Sequence, residues 1–125
     1  MSILLFQRRV PAKRIKASLH KRGVSLNAVA FPYIEEYEYL KVGIEEVLSE
    51  VFMLVVKGTT KEDYNSFKRS IEGRGCVVNS TALSEWNRAN GLSKTKIYGQ
   101  WNKEKDRLEF LLPEGRRYLS SGNRF

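Results

Sequence analysis

At 125 residues the chain has room for one domain or two small packed units, and a content of 42% hydrophobic and 11% aromatic residues supports a core and excludes a disordered chain. The outstanding figure is charge: 22 Lys and Arg against 14 Asp and Glu leave a net +8, which makes a polyanion the first partner to consider. A single cysteine, Cys76, excludes an internal disulfide and a cysteine-based zinc site, and a single histidine, His20, excludes paired-histidine metal motifs. No cofactor and no metal are therefore expected, and the setting is expected to be reducing and cytoplasmic. The apolar run at residues 3–6 is shorter than that of a signal peptide, and no stretch has the length of a spanning helix, so no membrane association is expected.

The charge is divided along the chain. Residues 1–32 hold seven bases and no acid, residues 33–58 hold six glutamates against Lys41 and Lys57, and residues 59–125 hold thirteen bases and eight acids. A basic head, an acidic middle and a moderately basic tail follow, with the acidic middle placed either to neutralise the head or to dock a partner.

In chain order, residues 2–7 read as a buried strand, and Pro11 opens a predicted helix over 11–22, on which Ala12, Ile15 and Leu19 share a face and Gly23 is the stop. Residues 24–31 and 36–42 read as strands, 44–49 as one or two helical turns, and 51–56, an unbroken apolar run, as a core strand. Thr59 or Thr60 can cap a helix over 60–72 bearing Tyr64, Phe67 and Ile71. A brief strand at 76–78 follows, then a helix over 80–90 capped by Ser80 or Thr81. Residues 96–112 suit a β-hairpin with a polar turn, and 113–119 a last short turn. The fold class is thus α+β, with a strand-rich N-terminal half over 1–58, arranged as a split βαβ unit, packed against a helix-rich half over 59–125.

Catalytic groups are sparse. His20 has no orienting partner in sequence and reads as a residue on a solvated basic face. Glu35, Glu36 and Glu38, and the pair Glu45 and Glu46, supply carboxylates that a divalent cation could use, but neighbours on a strand point to opposite faces, so they read as solvated charge. No phosphate-cradling glycine loop is present, Cys76 reads as core, and no enzyme is expected.

The segments Asn90-Gly91-Leu92-Ser93-Lys94-Thr95-Lys96-Ile97-Tyr98, Asp106-Arg107-Leu108 and Leu112-Pro113-Glu114-Gly115-Arg116-Arg117 have a recognisable shape. Over residues 60–119 the chain resembles a winged helix-turn-helix DNA-binding domain, the last string being similar to the wing exit of MarR-type regulators. Asn87 stands where that motif prefers alanine. The resemblance implies a winged-helix C-terminal half that binds duplex DNA, as a homodimer and transcriptional regulator. In it Asn87 and Arg88 approach base edges, and Lys94, Lys96, Lys103, Lys105 and Arg107 contact phosphate. Arg8, Arg9, Lys13, Arg14 and Lys16 form a second, sequence-independent phosphate tether. The alternatives are an RNA-binding module built on the N-terminal basic helix and sheet, with Tyr33, Tyr37 and Tyr39 as stacking rings, and a protein-interaction factor with an acidic docking surface.

Overall fold

A computed structural model describes residues 14–62, 65–114 and 118. The predicted strand at 2–7, the bases Arg8, Arg9 and Lys13, and most of the last turn lie outside these residues. The described chain forms nine strands, β1 (Lys16–His20), β2 (Gly23–Leu26), β3 (Tyr39–Leu48), β4 (Val51–Thr59), β5 (Phe67–Lys68), β6 (Ser70–Glu72), β7 (Gly75–Asn79), β8 (Thr95–Asn102) and β9 (Arg107–Leu111). Among the described residues there is one α-helix, α1 (Thr81–Ala89), and one 3₁₀ turn, Phe31–Tyr33. All pairings are antiparallel, in the order β5-β3-β4-β9-β8-β1-β2-β7-β6.

The two ends of that order, β5 and β6, are separated in the chain only by Arg69, whose N–H donates to the Glu38 carbonyl at 3.1 Å. The sheet therefore curls into a nearly closed barrel. This overturns the α+β, winged-helix reading: a helix-turn-helix needs several helices, and the described chain has one. Strands of residues 14–58 pair directly with strands of 75–111, β1 with β8 and β4 with β9.

The local reasons are legible. In β1 the burial alternates, with Ala17 and Leu19 inside and Lys16, Ser18 and His20 partly exposed. Ile15 and Leu19 fit a helix face and a strand face equally well, and hydrogen bonding to β8 and β2 on both sides selects the strand, replacing the predicted helix at 11–22. The predicted turns at 44–49 are instead the far part of β3. There the hairpin to β4 turns through Glu50, held at φ 64°, next to a bulge between Glu46 and Leu48. The predicted helix at 60–72 gives way to β5 and β6, Phe67 pairing with Leu40 and Ile71 with Cys76.

The strand at 51–56, the strand at 76–78, the helix at 80–90 and the hairpin at 96–112 all form close to the expected bounds. The barrel interior is filled by Leu19, Leu40, Leu54, Val56, Leu108 and Phe110, all essentially without exposure. α1 closes the end where β1 turns into β2 and adds Trp86 to the core, while Ala30 and Ile34 join it from the 3₁₀ segment. Ser80 caps the helix by accepting from the Leu83 N–H at 3.2 Å. Gly99 faces inward on β8 with no room for a side chain: a Cβ there would lie 2.2 Å from the Glu109 carbonyl oxygen and 2.6 Å from the Phe110 ring.

Candidate functional site

The outer face of β8 carries Lys96, Tyr98 and Gln100, all exposed, and the outer face of β1 carries Lys16, Ser18 and His20. Lys16 pairs with Tyr98 and Ser18 with Lys96, so the two strands present one surface on which no carboxylate stands. Arg14 precedes β1 and places its guanidinium 3.9 Å from the centre of the Tyr98 ring. Its backbone is fixed by Asn27, whose amide donates to the Arg14 carbonyl at 2.7 Å. Arg88 is exposed at the end of α1, and Lys94 is exposed in the turn into β8. Arg14, Lys16, Arg88, Lys94 and Lys96 make no ion pair among the described residues.

Charge on the outer face of the barrel is sorted by side. The opposite side of the same outer face shows the other half of the sorting. Arg107 stands on β9 beside Glu109 and is only 7% exposed. It donates to both oxygens of Glu45 at 2.8 and 3.2 Å and through Nε to Glu109 at 2.8 Å, while Asn102 donates to Glu109 at 3.1 Å. The bidentate bond to Arg107 holds the Glu45 carboxyl below its ordinary pKa, against the opposing effect of burial.

Between the two sides runs a groove of about 680 Å³, walled by Arg14 and Tyr98 on one flank and by Glu45, Glu46 and Val47 on the other. Its floor is Leu111 and Met53, which pair with each other across β9 and β4.

The expected site residues are thus dispersed. Arg14, Lys16 and Lys96 share the β1–β8 face, Lys94 is exposed in the turn that leads into β8, and Arg88 is exposed on the last turn of α1. Lys103 and Lys105 are exposed in the β8–β9 turn, where Lys105 reaches the end of the groove. Arg107 commits its guanidinium to carboxylates rather than offering it to phosphate. Asn87 is fully buried, its amide donating to the carbonyls of His20 at 3.1 Å and Gly23 at 3.0 Å, so it pins the β1–β2 turn to α1. The three tyrosines form no common platform. Tyr33 stacks on Trp101 with centres 5.2 Å apart, the Tyr37 ring lies against Gly58, and Tyr39 donates to Glu62 at 3.3 Å. Tyr98, Gln100 and Leu111 belong to the site although sequence reasoning passes over them. Strict alternation from Lys96 to Asn102 is the signal that groups the first two.

His20 has partners that the sequence does not reveal. The Arg22 N–H donates to its Nδ1 at 3.1 Å, so Nε2 carries the proton and donates to the Ser25 hydroxyl at 2.7 Å. A serine nucleophile needs the reverse direction, its hydroxyl donating to an unprotonated ring nitrogen. The pair is therefore a structural link across the hairpin. Among the described residues no three His, Cys, Asp or Glu side chains gather in a metal-holding cluster, and no helix is long and apolar enough to cross a membrane. No family model, curated protein or solved structure matches the chain.

Proposed function

We propose that the protein is a non-enzymatic binder of single-stranded nucleic acid that holds the sugar-phosphate backbone on the outer face of β1 and β8. The observation that carries this reading is the acid-free surface of Arg14, Lys16, Lys94 and Lys96 beside the exposed Tyr98 ring. Outward residues on a strand repeat about every 6.6 Å, which suits successive backbone contacts, and an aromatic ring among cations supplies a stacking surface indifferent to sequence. The shape of the molecule favours a single strand over a duplex. The only α-helix among the described residues buries Trp86 and Asn87 against the barrel and offers a short exposed face of nine residues at most, whereas duplex readout by a helix requires one that enters the major groove. The reading also keeps the protein in a reducing, cytoplasmic compartment, in keeping with the buried, unpaired Cys76.

The test is a fluorescence-anisotropy titration of a labelled oligothymidylate and of a duplex of equal length at two salt concentrations. Single-strand binding is expected to dominate and to weaken steeply with salt, with a logarithmic slope of about −0.7 for each phosphate neutralised. The double substitution Lys16→Glu with Lys96→Glu is expected to weaken it more than tenfold and to flatten the slope. Binding that is stronger for the duplex, or indifferent to the double substitution, overturns the proposal.

A further inference from the structure

Arg69 joins β5 to β6, the two ends of the strand order, away from β1 and β8. Its N–H is tied to the Glu38 carbonyl, and its guanidinium turns toward the interior. Nη1 is shut off from solvent, and the group lies 5.0 Å from the centre of the Phe31 ring, which packs against the core. No acceptor meets Nη1, and the guanidinium forms no ion pair among the described residues. The carboxylates of Glu38 and Glu72, on either side of the seam, are engaged elsewhere, Glu38 with Lys68 at 3.3 Å and Glu72 with Arg22 at 2.9 Å. Cys76 feels the Arg69 charge but does not balance it. Burial pushes its thiol up to about 11 against the pull of Arg69, so the sulfur keeps its proton at neutral pH.

A cationic donor held out of water without an acceptor destabilises the fold, and such orphans in native proteins mark a bound water, ion or ligand. The face of Phe31 offsets part of the charge but offers no lone pair. A water molecule satisfies the N–H and leaves the charge, whereas an anion satisfies both. Beside the guanidinium the wall is apolar and open. Ile71 pairs directly with Cys76, so its side chain stands on the same face of the sheet as the buried thiol, yet it is 60% exposed. We propose that the seam is a binding site for a small amphiphilic carboxylate, whose oxygens accept from the Arg69 guanidinium and whose apolar chain covers Ile71. Arg69 brings one positive charge, which matches a singly charged head better than a doubly charged phosphate, and a charge-assisted bond to a planar carboxylate is among the strongest that arginine makes. The short strands β5 and β6 open at less cost than the packed interior, so the ligand enters at the seam and, once bound, ties it.

The experiment is an NMR titration of the full chain, followed at the amides of Arg69, Ile71 and Cys76, with three probes: sodium octanoate, sodium acetate as the head alone and octanol as the chain alone. Octanoate is expected to bind about tenfold more tightly than either of the others, with the largest shifts at the seam. Arg69→Met keeps a long side chain but neither the charge nor the donors. It is expected to weaken octanoate binding about tenfold or more, and without ligand to melt no lower than the unaltered protein, because a charge with no partner is removed. Octanoate that binds no better than octanol, or equally well to Arg69→Met, overturns the site, as do shifts centred away from the seam. Acetate binding as tightly as octanoate overturns the amphiphilic ligand. Arg69→Met that melts lower, or does not fold, shows that the guanidinium is already balanced in the resting protein and overturns the premise, while the three probes on the unaltered chain read the site without the variant. None of these outcomes depends on whether β1 and β8 bind nucleic acid.

Discussion

Because the main-chain N–H of Arg22 points at Nδ1 of His20, a proton on that nitrogen would set two donors against each other. Burial and then the nearby Arg22 charge push the His20 pKa below its ordinary value, with Glu72 opposing in part. The folded ring therefore resists a proton that the unfolded chain accepts. Stability is full above the unfolded value of about 6.5, falls as the pH drops through it, and stops falling once the folded ring is also protonated. Urea melts are expected to show this loss on the acid side of neutrality, and His20→Gln is expected to flatten it. An unchanged pH profile in the variant would mean that other groups carry the slope. Arg107 poses a different problem at the same scale. Its charge is removed from water, but the carboxylates of Glu45 and Glu109 compensate, so it is held as a fixed structural charge and is not available to a ligand's phosphate.

At the level of the element, β8 sets the shape of the site. Gly99 lets the strand press against Phe110 and Glu109 while Tyr98 and Gln100 on either side face out. Gly99→Ala is expected to cost about 3 kcal/mol or more in chemical denaturation, because backbone as well as the Phe110 ring must move. A loss no larger than that of an ordinary strand Gly→Ala change would show that the barrel bend is not what requires the glycine. The hairpin containing Gly99 is legible in the sequence, since apolar residues alternate on both of its strands and Lys103 to Asp106 form an evident turn. So are the apolar run Val51–Val56 and the capped helix after Ser80. The segment around β1 is not, because Ile15 and Leu19 satisfy both periods and only the pairing partners decide between them. Nor is the Arg107–Glu45 pair, which joins residues 62 apart in sequence. The basic candidates on β1 and β8 can be named from the sequence, but their convergence depends on a pairing between strands from opposite halves of the chain.

For the whole molecule, the interleaving of early and late strands means that neither half owns a sheet. β1 and β2 are flanked by β8 and β7, and β4 is bounded by β9. Fragments 1–58 and 59–125 made separately are expected to lack dispersed amide NMR spectra, and mixing them is the condition under which such a spectrum is expected. A folded isolated fragment would show that one half holds a core of its own.

The barrel closes where β5, of two residues, and β6, of three, approach each other through Arg69, and this seam has few ladder hydrogen bonds to hold it. Thermal opening starts at such a joint, since the free energy of local unfolding follows the ladder bonds broken and the apolar surface newly exposed to water. The strands β1, β8, β9 and β4 lie at the centre of the order, farthest from the seam. The cationic face of β1 and β8 is therefore on the last part of the sheet to lose its register, whereas Glu45 stands on β3, next to the seam strand β5.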